Sequence, residues 1–196
     1  MANIIRETAN GTVVYPISDA LLKKRMLFLT EQVDAASMNS LLQQLMYLEQ
    51  TDTGEEITLF INSPGGECLS GLAVVDYIRT MKSPVRTVCT GLAASMGAIL
   101  FLCGTKREML AHTKVMIHDP STHNTFSGMK PDEIDEQLSM LRETQQVLCG
   151  IISDVTGKPL KDVRRVTKRD SYFDLKEALK FGLATGEYSG WRSTTL

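Results

Sequence analysis

Short β-prone runs alternate with amphipathic helical segments over the first part of the chain, and this alternation restricts the folds that are open to it. Strands are predicted at 26–30, 57–61, 85–89 and 114–117, where apolar residues are bounded by turn-forming or charged residues. Between them, apolar residues recur at helical spacing over 34–50 and over 70–81. Strands separated by helices of this length predict an α/β domain, with helices packed on a mainly parallel sheet.

The second half of the chain predicts one long helix and one short helix. Pro131 opens an amphipathic segment with acidic residues in its first turn, and the segment ends at Gly157. Asp174 and Glu177 have the spacing of a capping box. They predict the start of a short helix, which Gly182 closes.

Length and charge restrict the class of protein. No repeat or linker divides the 196 residues, of which 43% are hydrophobic, so 1–196 is predicted to be one domain with a loose tail over 188–196. The net charge of -2, without a basic patch, argues against a nucleic-acid partner. The longest apolar stretch, 91–104, is too short to cross a bilayer, so no membrane partner is expected.

The N-terminus and the cysteines indicate a reducing compartment. The first residues lack the basic start and apolar run of a secretory signal. Cys68, Cys89, Cys103 and Cys149 lie far apart, with no histidine at metal-ligand spacing. They are interpreted as buried structural thiols, and no metal or cofactor is expected. The predicted location is the bacterial cytoplasm, or an organelle matrix or stroma if a transit peptide has been removed.

Three histidines are available as a general base near neutral pH. His112 lies at the predicted start of a strand, and His123 lies in a polar loop. His118 follows an apolar run, and the Asp-Pro pair after it directs the chain out of the sheet. Side chains at strand ends form the sites of α/β proteins, so His118 is the candidate base, although a single histidine is more often structural.

A candidate nucleophile follows the third predicted strand. Ser95 stands in GLAASMG, between small residues, where an apolar helix is predicted to begin. Free backbone N–H groups and the positive end of the helix dipole would stabilise an oxyanion beside this serine. Taken alone, the pattern favours a serine that only caps the helix.

A glycine pair follows the second predicted strand. Asn62-Ser63-Pro64-Gly65-Gly66 precedes a predicted helix, and two glycines allow backbone conformations that can direct N–H groups toward a ligand. A strand-to-helix turn explains the same residues equally well.

INSPGG, GLAASMGA, VMIH and KRDSYF occur in this order, and the ordered set resembles the ClpP family of caseinolytic peptidases. The resemblance covers nearly the whole chain, from LLKKRMLFL through QQLMYLE to EALKFGL. It implies the proteolytic subunit of an ATP-dependent Clp protease. Such a subunit is a serine endopeptidase that hydrolyses unfolded proteins and peptides inside an oligomeric chamber.

The resemblance also assigns roles to residues. It gives Ser95 as nucleophile, His118 as general base and Asp170 as the residue that orients the imidazole. The backbone N–H groups of Gly66 and Met96 are implied to form the oxyanion hole. Without the resemblance, Asp170 is interpreted as a surface acid beside two basic neighbours.

The implied architecture is the ββα superhelix that ClpP proteins share with crotonases, with a protruding handle helix. The expected parts are an axial segment at about 1–17, a head formed by 18–118 and 158–187, and a handle at about 119–157. Two stacked heptameric rings are implied to enclose the sites, with a hexameric AAA+ Clp ATPase as partner.

Two departures from the family lie near the candidate site. Leu92 stands where the family commonly has Gln in GQAAS, and Asp119 stands where it commonly has Gln in HQP. A carboxylate beside the base is expected to raise the imidazole pKa or to compete with Asp170, unless it points to solvent.

Further departures concern substrate alignment and assembly. Residues 121–130 replace the family's glycine-rich handle strand, and Lys168 stands where many members have an acid in a ring-to-ring contact. In the groove that binds the ATPase, Thr58 and Thr80 replace aromatic residues and Phe60 is retained. Weaker or selective ATPase docking is therefore expected.

Three other interpretations remain open from the sequence. A weakly active chain could serve as a structural subunit in a mixed ring with a second ClpP-type subunit. A crotonase-like acyl-CoA enzyme would share the fold and the oxyanion hole but would need no serine nucleophile. A Ser-Lys peptidase would use Lys106 or Lys114 as its base.

Overall fold

The computed structural model describes residues 2–9, 11–122 and 127–190. The strands are β1 (Asn3–Thr8), β2 (Gly11–Pro16), β3 (Met26–Leu29), β4 (Ile57–Ser63), β5 (Val85–Ala94), β6 (Lys106–Met109), β7 (Lys114–Ile117), β8 (Ser171–Phe173) and β9 (Gly186–Glu187). The helices are α1 (Ile17–Lys23), α2 (Ala35–Thr51), α3 (Cys68–Thr80), α4 (Met96–Leu102), α5 (Pro131–Thr156), α6 (Leu160–Thr167) and α7 (Leu175–Phe181).

A mainly parallel sheet forms the centre of the molecule. Its order is β3-β4-β5-β6-β9, and all of these neighbours run parallel. β5 pairs with β6 along its first half and with β7 along its last three residues, and β8 runs antiparallel to β7. Helices connect the parallel strands, so the predicted α/β class is confirmed.

The two predicted helices between the first strands are confirmed. Asp34 accepts the backbone N–H of Ser37, and the Ser37 hydroxyl accepts the N–H of Asp34, so a reciprocal capping box starts α2. Each helix buries one apolar stripe against the sheet, and the stripes are Met38, Leu41, Leu45 and Leu48 on α2, and Val74, Val75 and Ile78 on α3.

α5 extends beyond the sheet as the sequence predicts. Its 26 residues span about 39 Å, and its buried residues, Leu148, Cys149, Ile151 and Ile152, all lie in its last third. Pro131 occupies its first turn, and the left-handed Gly157 ends it. The N-terminal part of the helix therefore projects from the head.

The structure differs from the sequence-based expectations at both ends of the chain. β1 and β2 form an exposed antiparallel hairpin that the strand patterns did not predict. Tyr188, predicted to begin a loose tail, instead donates its N–H to the Met109 carbonyl and packs edge-on against Phe60. The expectation of a loose tail is wrong for Tyr188, and residues 191–196 of that tail lie outside the described residues.

Candidate active site

The sheet topology brings Ser95 and His118 together. β5 ends at Ala94 and its parallel neighbour β7 ends at Ile117, with Ala94 opposite Met116 in the ladder. The next residue of each chain segment therefore leaves the sheet at the same edge, where functional residues of α/β sheets collect. The Ser95 Oγ lies 2.8 Å from the His118 Nε2, which is a short hydrogen-bond distance.

The antiparallel pairing of β8 with β7 places Asp170 beside His118. Ser171 at the start of β8 pairs with Ile117 at the end of β7, so the preceding Asp170 lies beside His118. Its Oδ1 is 3.6 Å from the His118 Nδ1, slightly too far for a hydrogen bond. The His118 side chain is 22% exposed and that of Asp170 is 63% exposed, so the carboxylate lies at the solvent side of the imidazole.

The backbone of Ser95 has an unusual conformation. Its φ of 53° lies in the left-handed region, where a residue with a side chain is strained. The Ser95 N–H donates to the Met116 carbonyl, and every residue of the following helix α4 is buried. The buried helix on one side and the ladder bond on the other hold this sharp turn in place. The Ser95 side chain is thereby presented at the sheet edge.

The glycine pair lies directly against this turn. Gly65 has a φ of +87°, and a Cβ built on it would lie 2.6 Å from the Ser95 Cβ and 2.9 Å from the Met96 nitrogen. Gly66 has a φ of +150°, and a Cβ there would overlap the Val33 carbonyl. Both positions therefore require glycine. The predicted oxyanion-hole residues, Gly66 and Met96, thus lie on adjoining segments beside Ser95.

A large open cleft and a small recess adjoin the two reactive side chains. The cleft has a volume of about 950 Å³, and its walls include Gly65, Gly66, Leu69 and Ser121 as well as Ser95 and His118. The recess has a volume of only about 20 Å³. Its walls are Cys68, Ser95, Ile99, Ile117, His118, Pro120, Leu148, Cys149, Ile152 and Thr167.

Asp119 does not take either of the orientations expected from the sequence. Its Oδ1 is buried without a hydrogen-bond partner, and its N–H donates to the Thr167 carbonyl at 2.6 Å. The carboxylate therefore neither points freely into solvent nor takes the place of Asp170 beside the imidazole. Burial raises the pKa of the nearby Cys149 thiol, and the negative charge of Asp119 raises it further.

Other sequence candidates lie away from the cleft. His112 is exposed in the turn before β7, not in the strand, and His123 lies outside the described residues. Lys106 pairs with Glu56, and Lys114 is exposed at the start of β7. Neither lysine lines the cleft or the recess, which argues against a Ser-Lys site.

Two features are absent from residues 2–9, 11–122 and 127–190. Within those ranges, no group of three or more His, Cys, Asp and Glu side chains is placed to hold a metal ion. No helix within them is long and apolar enough to cross a membrane.

Comparison with known proteins decides the family. The family model described as Clp protease matches residues 9–186. A curated relative from Streptococcus mutans serotype c, named as an ATP-dependent Clp protease proteolytic subunit, is 38% identical over 181 residues. The match covers 91% of this chain and 92% of the relative. The chain belongs to the Clp protease family. The resemblance drawn from the four motifs is confirmed, as is the interpretation of this family member as a hydrolase.

Sequence reasoning missed two features of this Clp protease family site. The contact of Gly65 with the Ser95 turn was not predicted, although the glycine pair itself was selected. The contribution of α5 to the recess was also missed, because Leu148, Cys149 and Ile152 are ordinary core residues by pattern. Apolar residues recur at helical spacing in the N-terminal part of the helix as well, at Ile134, Leu138 and Leu141, so no sequence signal marked the end that lines the recess.

Proposed function

We propose that this chain is the proteolytic subunit of an ATP-dependent Clp protease and cleaves peptide bonds with Ser95, His118 and Asp170. The observation that carries the proposal is the distance of 2.8 Å between the Ser95 Oγ and the His118 Nε2. Nucleophile and base within hydrogen-bond distance are the geometric requirement for serine catalysis. The position of Asp170 on the other side of the imidazole gives further support.

The proposed reaction begins with proton transfer to His118. The imidazole Nε2 accepts the Ser95 proton as the Oγ attacks the scissile carbonyl, so the other ring nitrogen must carry the N–H. That N–H faces Asp170, whose carboxylate stabilises the imidazolium. His118 then protonates the leaving amine, and an acyl-enzyme forms on Ser95. Water, activated by the same imidazole, hydrolyses the acyl-enzyme.

Charge on the tetrahedral intermediate is proposed to be held by backbone amides. Met96 is the first residue of α4, so its N–H has no carbonyl partner within the helix. Gly66 lies across the turn, and the absence of a side chain at Gly65 lets the two segments approach closely. Removing one such donor typically costs a factor of about 100 to 1,000 in rate.

We propose that substrates are unfolded proteins and peptides, cleaved in a chamber formed by two stacked heptameric rings in the bacterial cytoplasm or an organelle matrix. The open cleft of about 950 Å³ supports an extended chain as substrate. The projecting part of α5 gives each head a surface for contact with another subunit. The exposed hairpin of β1 and β2 is assigned to the axial end of the ring.

We further propose that docking of an AAA+ Clp ATPase is weak or selective. Thr58 is buried, so it presents little surface to a partner, whereas Thr80 is exposed. Phe60 stacks on Phe28 at 5.1 Å and meets Tyr188 edge-on at 6.0 Å. Part of the aromatic surface is thus engaged within the chain. Fewer aromatic anchors remain for the partner.

A structural or weakly active subunit in a mixed ring is the second candidate function. It is favoured by the open geometry at Asp170, whose carboxylate is 63% exposed and 3.6 Å from the imidazole. A second ClpP-type subunit would then supply most of the activity. The crotonase-like alternative has less support, because the family match is to Clp protease.

The test is peptide hydrolysis by the purified, assembled chain. Ser95→Ala is expected to lower kcat by at least about 1,000-fold without changing the assembled mass. Ser40→Ala, on the exposed face of α2, is the matched control and should keep full activity. Activity of Ser95→Ala equal to that of the control would contradict the proposal. Activity that appears only after a second ClpP-type subunit is added would favour the mixed ring.

A further inference from the structure

The wall of the large cleft carries a carboxylate beside the proposed oxyanion hole. Glu67 lines the cleft and directly follows Gly66, whose backbone N–H is proposed to hold the oxyanion. Glu67 does not line the small recess. The Cα atoms of consecutive residues are about 3.8 Å apart, so the Glu67 side chain starts about one residue away from the place of the scissile carbonyl.

Hydrogen bonds hold Glu67 at the cleft wall. Its backbone N–H donates to the Val33 carbonyl at 2.8 Å, and its carbonyl accepts the N–H of Gly71 at 3.2 Å. The Ser70 hydroxyl donates to the Glu67 Oε2 at 2.6 Å. The backbone is thus fixed on both sides, and one carboxylate oxygen is tied to the first turn of α3.

The charge of Glu67 is not used within the described part of the chain. Glu67 is the N-cap residue of α3, yet its side chain accepts no backbone N–H of the helix. None of the ion pairs formed by the described residues involves it. The residue is exposed, so its carboxylate is open to a substrate in the cleft.

The described residues that line the cleft do not balance this charge. They include no lysine or arginine, and Glu67 is the one acidic residue among them. Its charge acts on its surroundings: burial raises the pKa of the Cys68 thiol, and the charge of Glu67 raises it further. Leu69, in the same wall, is 69% exposed and offers apolar surface to the stem of a long basic side chain.

We infer that Glu67 makes this protease prefer substrates with lysine or arginine close to the scissile bond. The inference rests on the proposed function, since it requires a peptide whose carbonyl is attacked by Ser95. An extended peptide advances about 3.3 Å per residue, so the charge acts on side chains within about three residues of that bond. A basic side chain there is attracted to the carboxylate, and an acidic one is repelled.

The test compares fluorogenic peptides that differ only in lysine, glutamine or glutamate at one of the three positions on either side of the scissile bond. For the assembled wild-type chain in about 50 mM salt, kcat/KM should fall in that order at one or more positions, with a lysine-to-glutamate ratio of at least about fivefold. In about 1 M salt the ratio should approach one, because exposed charges are then screened. A ratio of one at every position in low salt would overturn the inference.

Glu67→Gln removes the charge at nearly constant size and should bring the ratio to within about twofold of one. Glu67→Lys should invert the preference. Glu55→Gln is the matched control, because Glu55 is also exposed but precedes the seven-residue strand β4, whose other end reaches the cleft, about 20 Å away. A ratio that is unchanged in Glu67→Gln, or lowered equally in Glu55→Gln, would overturn the inference. Because each ratio is taken within one preparation, it does not depend on how much of a variant folds.

Failure of the inference can be separated from failure of the proposed function. If a small fluorophosphonate labels Ser95 and hydrolysis requires Ser95, but lysine and glutamate peptides are cleaved equally fast, the charge preference is wrong and the serine mechanism stands. If Ser95 is neither labelled nor required for hydrolysis, the proposed function fails and the inference fails with it.

Discussion

The Ser95 backbone, with its φ of 53°, is held in place by contacts that leave little freedom at Gly65. A Cβ at Gly65 would lie 2.5 Å from the Ala94 carbonyl oxygen, which cannot move without moving the β5 strand. The conformation of one residue therefore depends on the absence of a side chain on another. This dependence connects the two motifs that the sequence presents 30 residues apart, at 65 and 95.

Gly65→Ala is expected to lower kcat/KM for peptide hydrolysis by at least about 100-fold, because a displacement of about 1 Å at the nucleophile has an effect of that size. Gly54→Ala is the matched control, since Gly54 also has a positive φ, +100°, but a Cβ there meets nothing within 4 Å. Both substitutions carry the strain of a positive φ. Equal losses of activity in the two variants would show that the Gly65 contact has no specific effect.

Asp119 is half-buried and its Oδ1 has no hydrogen-bond partner, and an unpartnered ionised oxygen costs more free energy than an unpartnered neutral group does. Asp119→Asn is expected to raise the free energy of unfolding by about 1 kcal/mol, measured by urea denaturation at pH 7. Asp76→Asn, at an exposed position of α3, should change it by less than about 0.5 kcal/mol. A loss of stability in Asp119→Asn would mean that the carboxylate has a stabilising partner.

The individual site residues were predicted from the sequence to very different degrees. Ser95 and His118 follow strands and could be named as candidates from the residues alone, although each pattern by itself favours a structural role. Asp170 could not be named in this way. It is an acid that lies between basic residues and a three-residue strand, and this is not a distinguishing pattern. Only the resemblance pointed to it. The burial of the Asp119 Oδ1 was unpredictable because the Asp119 backbone bonds to the carbonyl of Thr167, which the sequence places almost 50 residues later.

At the scale of elements, Glu49 links α2 to the segment that precedes β5. Its carboxylate accepts the backbone N–H groups of Lys82 at 2.9 Å and Ser83 at 3.1 Å. Hydrogen bonding by the Ser83 side chain, followed by the backbone of Lys82, lowers the pKa of Glu49. A carboxyl whose pKa is lowered on folding stabilises the protein above its unfolded pKa, and this contribution is lost as the pH falls through the folded pKa.

Glu49→Gln is therefore expected to lower the free energy of unfolding at pH 7 by less than about 1 kcal/mol, since the group is accessible to solvent. The difference from wild type should shrink as the pH falls below about 4.5, where the unfolded-state carboxyl is also protonated. Denaturation curves of both proteins between pH 3 and pH 7 measure this. A constant difference over that range would show that the charge of Glu49 is unimportant.

The elements that the sequence predicts best are those with a long apolar period or a complete cap. α2 and α5 have a long apolar period and α7 has a complete cap, and the bounds of all three agree with the prediction to within two residues. The hairpin of β1 and β2 was missed because its strands bury almost nothing, so no alternation of apolar and polar residues marks them. β6 and β9 were missed for another reason: short strands depend on their ladder partners more than on their own residues.

At the scale of the whole molecule, the head, the projecting α5 and the exposed hairpin suit a subunit that completes its surface by association. Large apolar side chains remain exposed on the hairpin and on α5, including Ile5 at 71% and Met140 at 58%. They support the proposed rings, which the sequence implied only through the resemblance.

Thr80→Phe is expected to strengthen binding of an AAA+ Clp ATPase by about tenfold, because it restores an aromatic anchor at an exposed position. Thr53→Phe is the matched control. Both threonines are exposed near a helix end, and both hydroxyls donate to a carbonyl three or four residues earlier. Affinity is measured on the assembled chain, with native mass in parallel. Tight binding by wild type, unchanged by Thr80→Phe, would contradict the proposal of weakened docking.

The central claim is that Ser95 is activated by His118, and labelling with a fluorophosphonate tests it most directly. The account predicts that mass spectrometry of the assembled wild-type chain at pH 7 finds one adduct, on Ser95. The labelling rate should fall by at least about 100-fold in His118→Ala, because the hydroxyl then lacks its base. An unmodified Ser95 in the assembled particle, or equal labelling rates in wild type and His118→Ala, would contradict the account.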